Sequence, residues 1–207
     1  MEDNRTPRLL ISFVLDNSCT VRADRLQALG EAFAKFGEAV AENTDLEWEL
    51  MTFGGLQPVI TKSFEDKALK AITPNGFPLL GRTVGAAADR LLARAAELKA
   101  AGHAVHRPWL LLLSDGFSSD SLEEIALRLD GLERGGEIMC LPFKLSPKLT
   151  TDRMQYLDRN KHMIEIKQGG LDGFFAFMLR MIGQRESLAA DVGIKFAKTD
   201  FEGWAEL

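Results

Sequence analysis

Cysteine is nearly absent from this chain: 207 residues hold two, Cys19 and Cys140. Both lie in or beside apolar stretches, which argues against a fold resting on disulfides and predicts free thiols. Histidine is almost as scarce, with three residues. His103 and His106 have no third soft donor nearby in sequence, so they are expected at the surface and not in a zinc site. No lysine or arginine run appears, and the net charge is −5 with a pI near 5.3. That balance removes the electrostatic footprint that nucleic acid or an anionic membrane requires. No window reaches the roughly 18 uninterrupted apolar residues of a membrane span. The opening Met1-Glu2-Asp3-Asn4-Arg5-Thr6-Pro7 lacks the basic start and apolar core of a signal peptide. A soluble cytoplasmic protein is expected.

What is present is apolar patterning. With 46% hydrophobic and 27% charged residues, the chain can fill one core and is short for two. We place one domain at 1–187 and a tail at 188–207, whose Phe196, Phe201 and Trp204 predict packing on the domain or on a partner. The run Leu9 to Leu15 reads as a strand buried on both faces, stopped by Asp16-Asn17-Ser18-Cys19-Thr20. Leu26, Leu29, Phe33, Phe36 and Val40 give a helix over 22–43, with Gly30 and Gly37 set for close approach to a sheet. Leu46, Trp48 and Leu50 alternate into a strand, and Gly54-Gly55 predicts a tight hairpin to an antiparallel edge strand over 59–64.

A proline- and glycine-rich loop over 73–83 is followed by a helix starting at Thr83, with Gly102 at its C-cap. Trp109 to Leu113 is the most apolar run and ends at Ser114-Asp115-Gly116. Asp120 with Glu123 resembles a capping box for the next helix, which Gly135-Gly136 closes. A strand over 138–143, a short helix over 151–158, a strand over 163–166 and a helix through Phe174, Phe175, Met178 and Ile182 complete the pattern. Alternating strands and helices predict a three-layer doubly wound, Rossmann-like α/β fold. Its central sheet is mostly parallel, with one antiparallel edge strand.

Three loops then fall at strand carboxyl ends or just before a helix. They carry Asp16, Ser18 and Thr20, then Thr83, then Asp115. Two carboxylates and three hydroxyls form a hard-oxygen set, suited to Mg²⁺ or Mn²⁺ and poor for zinc. Each residue also has a plainer use, since Asp16, Ser18 or Thr20 could cap the first helix.

At these positions the sequence resembles the von Willebrand factor A (VWA) domain family, whose metal-ion-dependent adhesion site combines D-x-S-x-S, a distant threonine and an aspartate in a D-G loop. The resemblance covers roughly residues 8 to 186. The Leu-Leu-Ser-Asp-Gly-Phe-Ser-Ser-Asp run and the Phe-Phe-x-Phe-Met-Leu helix look like the bacterial cytoplasmic subgroup typified by TerY, associated with tellurium resistance. It implies a non-enzymatic, Mg²⁺-dependent interaction module in a bacterial stress response, with Asp16, Ser18, Thr20, Thr83 and Asp115 around the metal. A protein partner would supply an Asp or Glu; a Ter-type protein, a phosphatase or kinase, or an ATPase is implied. The sequence departs from the pattern at Thr20, which replaces serine, at Cys19, which replaces a small residue, and at Arg82, which could pair with Asp115. A scaffold subunit with an empty metal site therefore stays open. So does a Mg²⁺-dependent phosphatase, because Asp16 and Thr20 also resemble the D-x-D-x-T loop of haloacid-dehalogenase-type enzymes, with Ser18 where that chemistry needs an acid.

Overall fold

The computed structural model describes residues 6–66, 68–145, 153–157, 163–185 and 197–206. Its elements run β1 (Leu9–Asp16), α1 (Ala23–Ala39), β2 (Leu46–Phe53), β3 (Val59–Lys62), α2 (Leu80–Ala100), β4 (Trp109–Ser114), α3 (Glu123–Arg134), β5 (Met139–Lys144), β6 (Ile164–Ile166), α4 (Leu171–Gly183) and β7 (Ala205–Glu206), with short 3-10 turns at Met154–Tyr156 and Lys198–Asp200. The strands form one sheet in the order β3-β2-β1-β4-β5-β6-β7. Neighbours from β2 to β6 are parallel, and β3 and β7 run antiparallel at the two edges. The mostly parallel α/β fold is as expected, and a second antiparallel edge strand joins the one foreseen at β3.

Strand β1 is central and buried along its whole length. Its side chains alternate between two cores, as a strand covered on both faces requires. Leu9, Ile11, Phe13 and Leu15 face α1 and α4, where Phe13, Phe33, Phe36, Trp48 and Phe175 pack mainly edge to face. Leu10 and Val14 face α2 and α3. On that second face Glu47 and Glu49 of β2 meet arginines of α2. Arg90 Nε donates to Glu49 at 2.9 Å, Ser12 Oγ donates to the same carboxylate at 2.8 Å, and Arg94 Nε donates to Glu47 at 2.7 Å. Burial still raises the Glu49 pKa, against the pull of Ser12 and Arg90.

Several boundaries differ from the sequence reading. Helix α1 is shorter at its far end, and α2 begins at Leu80, inside the stretch assigned to loop. Residues 54–58 separate β2 from β3, a wider connection than a tight hairpin. Of the two α1 glycines, Gly37 sits against the sheet, where an added Cβ would lie 3.2 Å from the Trp48 ring, whereas Gly30 faces Ile72 of a loop. In the tail, Phe201 and Trp204 are buried against Phe174 and Phe177 of α4; Phe196 lies outside the described residues. Gly173 makes room for this packing, because a Cβ there would be 2.3 Å from that of Trp204.

Candidate functional site

Strands β1 and β4 are parallel neighbours with Leu15 beside Leu113, so their carboxyl ends release Asp16 and Ser114-Asp115 side by side. Ser114 Oγ donates to Asp16 Oδ2 at 2.8 Å, a bond between residues 98 apart in sequence. The loops then fold back on their own carboxylates. Ser18 N–H donates to Asp16 Oδ1 at 2.9 Å, and Phe117 N–H donates to Asp115 Oδ1 at 3.0 Å. Gly116, at φ +93°, takes the left-handed backbone of the second turn. Neither carboxylate has escaped to solvent: Asp16 is fully buried and Asp115 nearly so. Burial first, and the charge of Asp115 second, push the Asp16 pKa up to about 7, against the hydrogen bonds from Ser18 and Ser114.

The three hydroxyls are each engaged in a hydrogen bond. Ser18 Oγ and Thr20 Oγ1 are 2.7 Å apart, one donating to the other. Thr83 is fully buried in the first turn of α2, and its Oγ1 donates to Leu79 O at 2.9 Å. Each such oxygen keeps a lone pair for a cation. The structure brings Asp16, Ser18, Thr20 and Asp115 into two touching loops. Thr83 is placed on the helix that packs against β1, and among the described residues no hydrogen bond joins it to the other four. None of Asp16, Ser18 or Thr20 caps α1, whose N-cap is Arg22.

Three residues that the pattern of ligands did not single out shape the site. Ser114 links the two strand ends; its place after four leucines and before Asp115 was the available signal. Asp120 does not cap α3. Its carboxylate accepts from Gly81 N–H at 3.1 Å and Arg82 N–H at 2.8 Å, capping α2 and so fixing the turn that carries Thr83. Asn17 donates through Nδ2 to Thr73 O at 2.7 Å and accepts at its backbone oxygen from Asn75 N–H at 2.8 Å. Its Oδ1 is buried without a partner.

Other expectations change. Cys19, beside the apolar β1 run in sequence, is exposed on the loop, with its N–H donating to Gly76 O. Cys140 is buried and in no disulfide. Arg82 is exposed and its guanidinium donates to Leu56 O at 3.2 Å, turning it toward the β2–β3 loop and not into a bond with Asp115. His103 and His106 are half-buried where surface positions were expected. Among the described residues, no group of three or more His, Cys, Asp or Glu side chains is placed to hold a metal. The donor set with two carboxylates and three hydroxyls fits a hard cation and not zinc. A cleft of about 580 Å³ between α1 and the β6–α4 turn, lined by Arg25, Lys35, Lys167 and Asp172 among others, includes none of the five residues. No described helix is long and apolar enough to cross a membrane.

No family model matches the sequence, and no curated protein does. Solved structures do match in fold. The SpRpn10 VWA domain superposes with a TM-score of 0.55 at 13% identity, over 84% of this chain and 95% of that one. Proximal thread matrix protein 1 from the mussel byssus gives 0.51 at 14% identity, over 89% of this chain and 46% of that one. Manganese-loaded TRAP protein from Plasmodium vivax gives 0.50 at 10% identity, over 72% of this chain and 62% of that one. At such identities the likeness is one of fold, and the fold is that of VWA domains.

Proposed function

We propose that this chain, on its VWA-like fold, is a non-enzymatic protein-interaction module that binds an acidic residue of a partner through Mg²⁺ or Mn²⁺. The observation that carries the reading is the buried Asp16–Asp115 pair, two carboxylates held together at adjacent strand ends with Asp16 pushed up to about 7. A divalent cation offsets both the repulsion and the burial that raise that pKa. Ser18, Thr20 and Thr83 would hold it by hydroxyl oxygens, with Asp16 and Asp115 directly or through water. When bound, the cation supplies an electrophilic position for a partner's carboxylate. Ser114 and the Ser18 N–H orient Asp16, and Asp120 fixes the turn bearing Thr83.

A role in a bacterial stress response of the tellurium-resistance type rests on the sequence resemblance alone, and a cytoplasmic place on that and on the Met1–Pro7 opening. A Ter-type, phosphatase, kinase or ATPase partner likewise rests on the resemblance, while the domain division at 187 rests on the sequence pattern of the tail. One observation favours the second reading, a scaffold with an empty site: the Ser18 N–H and the Ser114 hydroxyl already donate one bond to each oxygen of Asp16 and hold it without a metal. The phosphatase reading lacks its acid, because Ser18 stands where that chemistry needs a carboxylic acid.

Thermal unfolding of the chelated protein, with and without millimolar Mg²⁺ or Mn²⁺, tests the metal. A cation at 100 times its dissociation constant adds about 2.7 kcal/mol when only the native state binds it. We expect a higher melting temperature in the wild type and none of that rise in Asp16→Ala or Thr83→Ala. Equal melting with and without metal in the wild type favours the scaffold.

A further inference from the structure

The segment 75–78 is stitched to three loops at the carboxyl edge of the sheet, those after β1, β2 and β4. Cys19 N–H donates to Gly76 O, Gly55 N–H donates to Phe77 O at 2.9 Å, and Ser119 N–H donates to Pro78 O at 2.8 Å. The backbones meet closely enough that a Cβ on Gly54 would lie 2.1 Å from Asn75 O, and one on Gly76 would lie 2.9 Å from the Gly55 Cα. These contacts tie together the loops that follow Asp16 and Asp115. Within two residues of each stitch stands a large apolar side chain left in water. Leu56 is 86% exposed, Phe77 is 71% exposed, and Phe117 is 36% exposed. A single exposed leucine needs no explanation, but three on hydrogen-bonded loops at one edge form a patch of the kind that marks interaction sites. Leu127 and Leu179, by contrast, are scattered on α3 and α4. The exposed Arg82 guanidinium lies on Leu56 O, so the same patch carries a cation.

We propose that Leu56, Phe77, Phe117 and Arg82 form a docking rim for an extended acidic segment of another protein, in which an Asp or Glu is flanked by large apolar side chains. The proposal rests on the metal-bridge reading for the carboxylate and adds what surrounds it. The charge argues for this occupant. Arg82, whose guanidinium lies on Leu56 O inside the patch, places a local cation where an acidic segment would meet it. The apolar flanks follow from the rim, since large side chains there bury against Phe77 and Leu56 only if the partner offers apolar surface.

Fluorescence anisotropy with short labelled peptides tests it on the full chain. One peptide carries a central Asp flanked by Phe and Leu, a second has Ser in the flanks, and a third has Asn at the centre. In millimolar Mg²⁺ the apolar-flanked peptide should bind about tenfold tighter than the Ser-flanked one, the scale set by burying one or two large side chains. The double variant Leu56→Ser, Phe77→Ser should lose that preference while keeping the wild-type melting temperature and Mg²⁺ response. Equal affinity for both flanks, binding of neither peptide, or an unchanged double variant overturns the rim. Self-association by sedimentation that Phe77→Ser abolishes assigns the surface to a second copy and also overturns it. The metal bridge is read separately: flank-dependent binding that ignores EDTA but falls with the Asp-to-Asn change supports the rim, with Arg82 meeting the acid, and removes the bridge, whereas binding that ignores the Asp-to-Asn change overturns the acidic occupant.

Discussion

Lys62 shows how one residue's charge is set by its surroundings. It lies on edge strand β3 with only 5% of its surface exposed, and its ammonium donates to Trp48 O at 2.7 Å and Ser63 O at 3.0 Å. The ammonium also stands 4.3 Å over the Trp48 ring. Burial lowers its pKa from 10.5 to about 8, with Asp66, Glu49 and Glu47 pulling it back up. Between those two values the unfolded chain binds more protons than the folded one, so stability rises with pH across that window and levels off above it. Melting of wild type and Lys62→Met, compared across pH 8 to 10.5, should show the difference moving in favour of the wild type; a constant difference would refute the shift. Legibility at this scale follows locality. Asp16, Ser18 and Asp115 could be placed from the sequence because hydrophobic runs fix where strands end. Ser114 and Asn17 could not be given their partners, because those come from strand register and from loops far along the chain. Cys19 and Arg82 were read through their neighbours in sequence, while their exposure and bonds are decided by the 75–78 and 54–58 loops.

Helix α2 is an element whose start is specified from elsewhere. Leu79 offers no side-chain cap, and the orphan N–H groups of Gly81 and Arg82 are satisfied by Asp120 from the loop after β4. Gly81 admits that loop, since a Cβ there would lie 2.6 Å from Ser121 O. Asp120→Ala should cost about 1–2 kcal/mol in urea unfolding, from the lost cap and its charge at a helix N-terminus. Glu123→Ala, the partner that a capping box over 120–123 would require, should change stability by less than about 0.5 kcal/mol. A larger loss at Glu123 than at Asp120 would return the cap to α3. The motif was visible in the sequence, but not which helix it serves, because the served N–H groups are 38 and 39 residues away. The same limit placed the start of α2 at Thr83 and not at Leu80: the glycine and the missing local cap argued for loop, and the distant carboxylate overrides both.

The whole molecule is a seven-stranded sheet closed at both edges by antiparallel strands, the last supplied by Ala205–Glu206 from the tail. The tail's aromatics predicted packing, but a two-residue strand has no period to read, and its place beside β6 depends on Gly170 and Gly173 letting Trp204 against α4. Gly173→Val should displace Trp204, lower stability by about 2–4 kcal/mol as buried aromatics lose their contacts, and red-shift tryptophan emission. The red shift should vanish when Trp204 is also Phe; a shift that persists would place its source at Trp48 or Trp109. The doubly wound order itself was legible, because alternating strands and helices allow few arrangements. It also dictates timing. The Ser114–Asp16 bond spans 98 residues, so β4 meets β1 only by closing the long loop that carries β2, β3 and α2. Closing so long a loop is what makes non-local sheets slow to form. The paired carboxylates therefore have no early precursor: a half-folded chain carries two ordinary, separate acids, and an affinity built on the pair is withheld until the middle of the sheet has closed.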